Sequence, residues 1–203
     1  MTNTPDYLKP YRDAVVEHGG TFDATLWQSK EGQLLRFKTF CNFIDFIDTT
    51  ILDIGCGIGD FSEYLTETGV AFKSFHGIDA MAPMIATANE RQLARSTFSI
   101  ADIVHSSDAL RGYDWITFSG TLNAMREDVA SNLIETAFKH SSKGVAFNFL
   151  SNKSGRDPAS EDITPASRFD TLAWISKALL LSPNVDFTQS YLDGHDATIV
   201  IHS

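Results

Sequence analysis

The stretch that decides the fold is Ile51-Leu52-Asp53-Ile54-Gly55-Cys56-Gly57-Ile58-Gly59-Asp60-Phe61. In it, an apolar segment typical of a buried strand runs into a glycine-rich turn, and the turn opens a helix. Gly55 and Gly57 have no side chains, so a ligand can approach the backbone closely there. Gly59 allows close packing where the helix begins. Backbone N–H groups at a helix start lack intrahelical partners, and they point towards such a ligand.

The spacing of these glycines discriminates between classes of cofactor. A dinucleotide-binding loop has the pattern GxGxxG, whereas Gly55, Gly57 and Gly59 form GxGxG. Asp60 stands where the third dinucleotide glycine would be, and Asp53 lies just before the turn. A carboxylate at that point suits the cationic amino group of an amino acid and is a poor neighbour for a pyrophosphate. The loop therefore favours a ligand with an amino-acid moiety.

Around this loop, short apolar runs alternate with amphipathic ones. The pattern predicts strands at Thr50–Ile54, Phe72–Ile78, Thr97–Ala101, Tyr113–Phe118 and Val145–Leu150. It predicts helices at Phe61–Thr68, Pro83–Arg95, Val129–His140 and Phe169–Leu181. Val185–Leu192 and Ala197–His202 then indicate a hairpin turned at Asp193-Gly194. Such alternation specifies a parallel sheet covered on both faces, to which the hairpin adds one antiparallel strand.

The segment before the first strand differs from the rest. Lys9–His18 and Gln28–Phe46 are predicted helices with a break at Gly19-Gly20, and we expect them to cap the carboxyl edge of the sheet. The chain is thus expected to be one domain, with a helical cap over residues 1–48 and a core over residues 49–203. Ser151–Pro165, rich in Ser, Asp, Pro and Gly, is predicted to be a lid or binding loop.

Four stretches resemble class I S-adenosylmethionine-dependent methyltransferases, in the order that the family has them. Asp53–Gly59 is similar to the first motif, which holds the methionine part of the cofactor. Gly77–Met84 resembles the second strand end, where an acid binds the ribose hydroxyls, and Ser99–Ile103 the third, where an acid contacts the adenine amino group. Tyr113–Gly120 resembles the fourth strand, whose end borders the methyl group. The resemblance covers Thr50 to Leu150.

The resemblance implies both a fold and a cofactor. The fold is a three-layer, Rossmann-like α/β fold with a seven-stranded, mostly parallel sheet in the order 3-2-1-4-5-7-6, strand 7 being antiparallel. The cofactor is S-adenosylmethionine, and the residues implied to bind it are Asp53, Gly55, Cys56, Gly57, Gly59, Asp60, Phe61, Asp79, Ala80, Met81, Met84, Ala101, Asp102, Ile103, Ser119 and Gly120. Arg36 is a further candidate, for the cofactor carboxylate, with a salt bridge to the acidic surface as the alternative.

Absent motifs narrow the class of acceptor. Ser119-Gly120-Thr121-Leu122 stands where nucleic-acid amino-methylating relatives carry Asn/Asp-Pro-Pro-aromatic, and it offers no acid for a divalent cation, so we expect no metal. The formal net charge of −10, without a dense Lys/Arg run, disfavours a nucleic-acid partner. A small-molecule acceptor, methylated on oxygen or nitrogen by direct displacement, is the remaining hypothesis. A non-catalytic S-adenosylmethionine-binding protein, acting as a sensor or partner subunit, is the alternative.

Candidate acceptor-binding residues come from several parts of the chain; they are Tyr11, His18, Trp27, Asn123 and Asn148. For Tyr11 and Trp27 the alternative is packing within the cap, and for Asn148 it is a hydrogen bond within a loop. His195 is hypothesised to be the general base, with an exposed turn histidine as the alternative.

The remaining expectations concern the setting of the protein. Cys41 and Cys56 form no CxxC pair and are expected to be reduced thiols in a cytoplasmic protein. No apolar run is long enough to cross a bilayer, so no membrane partner is expected. The protein is expected to be a monomer or a homodimer.

Overall fold

The structure is a computed structural model that describes residues 7–105, 107–154, 163 and 165–203. Its strands are β1 (Thr50–Ile54), β2 (Ser74–Asp79), β3 (Ser96–Ile100), β4 (Trp115–Phe118), β5 (Gly144–Leu150), β6 (Val185–Thr188) and β7 (Asp196–His202). Its α-helices are α1 (Lys9–His18), α2 (Lys30–Phe43), α3 (Asp60–Glu67), α4 (Ala82–Glu90), α5 (Glu127–His140) and α6 (Thr171–Leu181). None of the described helices is long and apolar enough to cross a membrane.

The strands form one seven-stranded sheet in the order β3-β2-β1-β4-β5-β7-β6. The pairs among β1 to β5 are parallel. β7 runs antiparallel between β5 and β6, with Gly144 opposite His202 and Leu150 opposite Asp196. The predicted fold class and strand order are therefore confirmed. Because the parallel strands all end at one edge, the residues that follow them meet there.

Alternation of side chains along each strand divides the core into two layers. On one face of the sheet, Ile51 packs with residues of α2, α3 and α4. On the other face, the neighbouring Leu52 packs with residues of α5 and α6. Both side chains are fully buried. A sheet covered on both faces by helices is the three-layer arrangement that near-continuous apolar strands require.

The two helices before β1 have different positions. Phe37 and Phe40 of α2 are buried against the sheet, and the ring of Phe37 stacks on that of Phe61 with centroids 4.9 Å apart. α1 instead packs over Met81 and Met84, at the carboxyl edge of the sheet. The expected cap at that edge therefore corresponds to α1, whereas α2 belongs to one of the two helical layers.

Several boundaries differ from those that periodicity predicts. α2 begins later than predicted because Ser29 caps it, with Oγ accepting from the Gly32 N–H at 3.1 Å. α4 ends at Glu90, and the predicted extension to Arg95 fails because Gln92 and Arg95 take left-handed backbone conformations, with φ of 50° and 58°.

The C-terminal hairpin is also shorter than predicted. β6 ends at Thr188, and the turn contains a short 3-10 helix, Leu192–Gly194, which contains Asp193. Of the predicted loop Ser151–Pro165, residues 155–162 and 164 lie outside the described residues.

Candidate active site

A cavity opens at the carboxyl ends of β1 to β4. We call it the glycine-loop cavity. It brings together most of the side chains and backbone positions that the sequence singled out for a cofactor. These are Asp53, Gly55, Cys56, Gly57, Asp60, Asp79, Ala80, Met81, Met84, Ala101, Asp102, Ile103, Ser119 and Gly120. Ligands of open α/β sheets bind at this edge, where strand order reverses beside the first strand.

The turn after β1 leaves bare backbone in this cavity. Gly55 has φ +72°, and a Cβ there would lie 2.4 Å from Thr121 Oγ1, so no other residue fits without displacement. The N–H groups of Gly55 and Cys56 both donate to the Ile78 carbonyl oxygen, at 2.8 and 3.1 Å. These bonds fix the turn to the end of β2. The result is a fixed turn that lines the cavity and whose Gly55 packs closely against Thr121.

Asp53 is a buried carboxylate at the base of the turn. It is 3% exposed, and its Oδ1 accepts a hydrogen bond of 2.7 Å from Thr117 Oγ1. Burial raises the pKa of Asp53 to about 7, although the Thr117 bond acts in the opposite direction. An opposite charge stabilises such a carboxylate strongly, because little water screens it. The position therefore suits a cationic ligand group.

Asp79 joins the glycine turn to the next helix. Its Oδ2 accepts from the Gly57 N–H at 3.0 Å, and its Oδ1 accepts from the Met81 N–H at 2.8 Å. Burial raises the pKa of Asp79, and these backbone bonds partly counter it. A carboxylate has about four lone-pair sites, so the group keeps capacity to accept further bonds from vicinal hydroxyls of a ligand.

Asp102 holds the N-terminal segment over the cavity. It accepts hydrogen bonds from the Tyr7 hydroxyl, from His105 Nδ1 at 2.9 Å and from the Val104 N–H at 3.2 Å. Burial raises the pKa of Asp102, but the bonds from Tyr7 and His105 outweigh it and leave the pKa below its ordinary value. The predicted contact of this carboxylate with adenine stays a prediction.

Residues that sequence reasoning missed complete the lining of the glycine-loop cavity. They are Tyr7, Leu8, Ala24, Thr25, Gln33, Phe37, Ile54, Ile78, Thr121 and Met125. Among the polar ones, Gln33 donates from Nε2 to Asp60 Oδ2 at 3.1 Å. Arg91 Nη1 contacts the other oxygen of Asp60 at 2.7 Å. No local pattern marks Gln33, since its place depends on how α2 packs beside α3.

Two of the predicted cofactor residues serve packing and do not line either cavity described here. Phe61 is 1% exposed and lies inside the aromatic cluster beneath α2. A Cβ on Gly59 would lie 2.8 Å from Phe98 Cζ, so this glycine permits helix–sheet contact. The prediction that they bind the cofactor is corrected, because both face the core.

Arg36 and His18 also need correction. Arg36 is buried, its Nε donates to Asp196 Oδ2 at 2.5 Å, and it lines a second cavity. It therefore reaches neither the glycine-loop cavity nor the acidic surface. His18 is exposed at the end of α1, beside Glu17, and lines neither cavity, so its predicted role in acceptor binding is not supported.

The second cavity adjoins the first, and we call it the His195 cavity. The sequence-predicted residues that line it are Tyr11, Trp27, Arg36, Asn123, Asn148, His195 and Gly120. The positions that line both cavities are Tyr11, Thr25, Trp27 and Gly120. The two cavities therefore share one wall.

The two predicted asparagines hold the backbone around the His195 cavity. Asn148 Oδ1 accepts from the Gly120 N–H at 2.8 Å, and its Nδ2 donates to Ser119 Oγ at 3.3 Å. Asn123 Nδ2 donates to the Ser167 carbonyl oxygen at 2.6 Å, and its Oδ1 accepts from the Leu150 N–H at 3.1 Å. Both side chains therefore make loop hydrogen bonds as well as lining the cavity.

His195 is a buried residue of the second cavity. It is 7% exposed, and its Nδ1 lies 2.7 Å from Asp196 Oδ1. The alternative of an exposed turn histidine is therefore wrong. Because an ionised carboxylate only accepts hydrogen bonds, Nδ1 is the nitrogen that carries the proton. In the neutral ring, Nε2 then holds the lone pair.

Metal binding has no support among the described residues. In that part of the chain, no group of three or more His, Cys, Asp or Glu side chains is placed to hold a metal ion. The absence of a metal from the reaction stays a prediction.

Comparison with known proteins gives a family match and a fold match. A family model described as a methyltransferase domain matches residues 51–144. No curated protein matches the sequence significantly.

Several solved structures share the fold. The magnesium protoporphyrin IX methyltransferase of Synechocystis PCC 6803, with bound SAH, has a TM-score of 0.68 and 15% identity, covering 99% of this chain and 96% of its own. Phosphoethanolamine N-methyltransferase 1 of Haemonchus contortus has a TM-score of 0.71 and 15% identity, covering 97% and 48%. The small RNA methyltransferase HEN1 has a TM-score of 0.67 and 17% identity, covering 83% and 24%. Their acceptors differ in kind, so the likeness concerns the fold.

Proposed function

Residues 51–144 form a class I methyltransferase domain whose cofactor is S-adenosylmethionine, and from this premise we propose that the chain methylates a small-molecule acceptor held in the His195 cavity. The methyltransferase match confirms the predicted family, enzyme class and cofactor. It does not support the alternative of a non-catalytic binding protein. The proposed reaction is direct displacement onto an oxygen or nitrogen atom.

The observation that carries the proposal is the shared wall between the two cavities. Tyr11, Thr25, Trp27 and Gly120 line both of them. Direct displacement needs the acceptor atom and the methyl carbon in contact, so we propose that the two cavities open into each other among these four residues. Holding two reactants in this way contributes about 7–11 kcal/mol to lowering a barrier. We therefore propose that the protein accelerates the reaction mainly by positioning the cofactor and the acceptor.

The residues of the glycine-loop cavity fit the cofactor. Asp53 suits its amino group and Asp79 its ribose hydroxyls, because one is a buried carboxylate and the other keeps free acceptor sites. Gly55 and Gly57 of the glycine turn line the same cavity, next to the position proposed for the amino-acid part. When bound, the cofactor supplies a methyl group activated by the adjacent sulfonium charge.

His195 is proposed as the general base for the acceptor. Its Nδ1 is held by Asp196 at 2.7 Å, which orients the ring and leaves Nε2 as the basic nitrogen. A base is needed for an acceptor that is protonated at neutral pH, such as a hydroxyl or an ammonium group, and contributes about 10²–10⁴-fold in rate.

Charge supports a small acceptor over a nucleic acid. The chain has a formal net charge of −10, which repels a phosphate backbone. Arg36 lines the His195 cavity, but its positive charge is paired with Asp196.

A reducing, cytoplasmic location is part of the same proposal, supported by the free cysteines Cys41 and Cys56. The proposal also includes that the protein has no membrane partner and that it is a monomer or a homodimer.

The proposal is tested by release of S-adenosylhomocysteine. The protein is incubated with S-adenosylmethionine and, separately, with the low-molecular-mass, RNA and protein fractions of a cell extract. We expect release with the low-molecular-mass fraction, and the same fraction with the Asp79→Ala variant serves as the control. Release only with RNA or protein, or with none of the fractions, would contradict a small-molecule acceptor.

A further inference from the structure

Building on the function proposed above, we infer that Arg36 is a positioning residue for His195, and that it acts through their common partner Asp196. The sequence gives no sign of this link, since Arg36 lies 160 positions before Asp196. The structure brings α2 and the start of β7 together at the His195 cavity, which all three side chains line.

The two oxygens of the Asp196 carboxylate accept hydrogen bonds from different partners, Arg36 and His195. Asp196 Oδ2 accepts from Arg36 Nε at 2.5 Å, and Asp196 Oδ1 accepts from His195 Nδ1 at 2.7 Å. Exposed fractions are 7% for Arg36, 7% for His195 and 1% for Asp196. Because each oxygen has its own donor, the carboxylate plane is fixed, and with it the direction from which the imidazole is held.

The charge of Arg36 modifies the electrostatic effect of the Asp196 carboxylate on the His195 imidazole. A bare buried carboxylate stabilises an imidazolium strongly, because water does not screen the pair. With the guanidinium on its other oxygen, part of the Asp196 charge is compensated, so Arg36 weakens the attraction between Asp196 and an imidazolium. A neutral ring with its proton on Nδ1 is the form in which a general base works.

Within the described part of the chain, Arg168 lies beside His195 and Tyr191 lies near Asp196. Arg168 Nη1 lies 3.5 Å from the His195 backbone oxygen, and it lies closer to the Ser151 carbonyl oxygen, at 2.9 Å. The Tyr191 hydroxyl pairs with Thr198 Oγ1 at 2.6 Å. Burial, and next the charge of Asp196, raise the pKa of Tyr191, so the phenol stays neutral.

Arg36 also connects this pair to the shared wall. Its guanidinium carbon lies 4.4 Å from the centroid of the Trp27 ring, which is a cation–π contact. Trp27 in turn lies against Gly120, which borders both cavities. The Arg36 guanidinium thus contacts Asp196, the partner of His195, and also Trp27, which lines both cavities.

The test measures the protonation of His195 directly, without an acceptor. The full chain is produced with ¹³C-labelled histidine, and the imidazole resonance of His195 is followed against pH by NMR. Of the chain's six histidines, His195 is assigned by the resonance missing from His195→Gln. The titration midpoint is then compared among wild type, Arg36→Met, Asp196→Asn and the double variant Arg36→Met/Asp196→Asn.

Removing Arg36 should raise the midpoint by about one pH unit, because it leaves a bare carboxylate beside the imidazole. Asp196→Asn should lower it, because the imidazolium then loses its anion and still faces the guanidinium. Arg36→Lys, which keeps the positive charge, should stay closer to wild type than Arg36→Met does. A residue that only supported the fold would not move the midpoint in opposite directions in the two single variants.

Thermal melting shows whether each variant is folded. Should Arg36→Met not fold, because a buried charge is left unpaired, Arg36→Gln takes its place, and its midpoint should again lie above that of wild type. In the Asp196→Asn background, removal of Arg36 should move the midpoint much less, because the mediating carboxylate is gone. An unmoved midpoint after removal of Arg36, or movement in the same direction as in Asp196→Asn, would overturn the inference. If the His195 titration responds as expected but His195→Gln keeps its methylation rate, the connection from Arg36 through Asp196 to His195 stands. Only the proposal that His195 is the general base is then rejected.

Discussion

The indole of Trp27 lies directly on the backbone of Gly120. A Cβ built on Gly120 would lie 2.4 Å from Trp27 Cζ2, and Gly120 has a left-handed φ of +71°. The contact is possible because glycine has no side chain. Since both residues line both cavities, this contact lies at the boundary where methyl transfer is proposed.

Gly120→Ala should therefore impair turnover. The new methyl group must displace Trp27, and the left-handed backbone costs about 1 kcal/mol for alanine. We expect a rate loss of at least about tenfold with a smaller change in cofactor affinity, measured by single-turnover kinetics and calorimetry. Gly69→Ala is the matched control, because Gly69 also has a left-handed φ, +77°, but nothing lies within 4 Å of its Cβ position. Equal rate losses in the two variants would contradict a role for the Trp27–Gly120 contact in methyl transfer.

Asp79→Ala should weaken cofactor binding. It removes the acceptor of the Gly57 and Met81 N–H groups and the proposed partner of the ribose hydroxyls. Losses of charged hydrogen bonds predict about 10- to 100-fold weaker binding of S-adenosylhomocysteine by calorimetry. Asp114→Ala is the control, because Asp114 also accepts from a backbone N–H, that of Thr50 at 2.8 Å, but is not among the residues that line the cavity. Wild-type affinity in Asp79→Ala would reject the assignment of this site.

Binding of S-adenosylhomocysteine should release a proton from Asp53. Burial raises the pKa of Asp53 to about 7, so at pH 6 the free protein holds this proton. The ligand's ammonium favours the ionised carboxylate, so the proton leaves on binding and affinity rises between pH 6 and pH 8. Calorimetry in buffers of different ionisation enthalpy should give about one proton released at pH 6. Asp53→Asn should abolish that release; a release that persists in this variant must come from another group.

His195→Gln should slow the chemical step with an acceptor that must lose a proton. The expected loss in single-turnover rate is about 10²–10⁴-fold at unchanged cofactor affinity. His202→Gln is a matched control, since His202 Nε2 pairs with Asp186 Oδ2 at 2.8 Å at the other end of β7 and lines neither cavity. A wild-type rate in His195→Gln would remove the base from the mechanism.

Local sequence carries much of the fold. The strand Thr50–Ile54 and the helix Lys9–His18 have the predicted bounds, because an apolar run before a glycine turn, and a helix ended by Gly19-Gly20, are local signals. The order of the strands followed from the family resemblance. Helix ends differed from the prediction: α4 stops at Glu90 because Gln92 takes a left-handed conformation that no periodicity marks.

The positions along the glycine loop and at the ends of β2, β3 and β4 could be named from sequence, because each follows a strand and parallel strands end at one edge. Phe61 was misassigned because it adjoins the loop in sequence, whereas its side chain points into the core under α2.

Only the tertiary structure decided the partners of Arg36 and His195. The sequence alone determined that a glycine turn follows the first strand beside Asp53, because both features lie within a few consecutive residues; that this turn binds a cofactor stays a prediction. It did not determine that Arg36 meets Asp196, because that contact depends on how α2 packs against β7, 160 positions later. Contacts between distant segments arise from the burial of whole apolar faces, and no local pattern specifies which polar side chains that burial brings together.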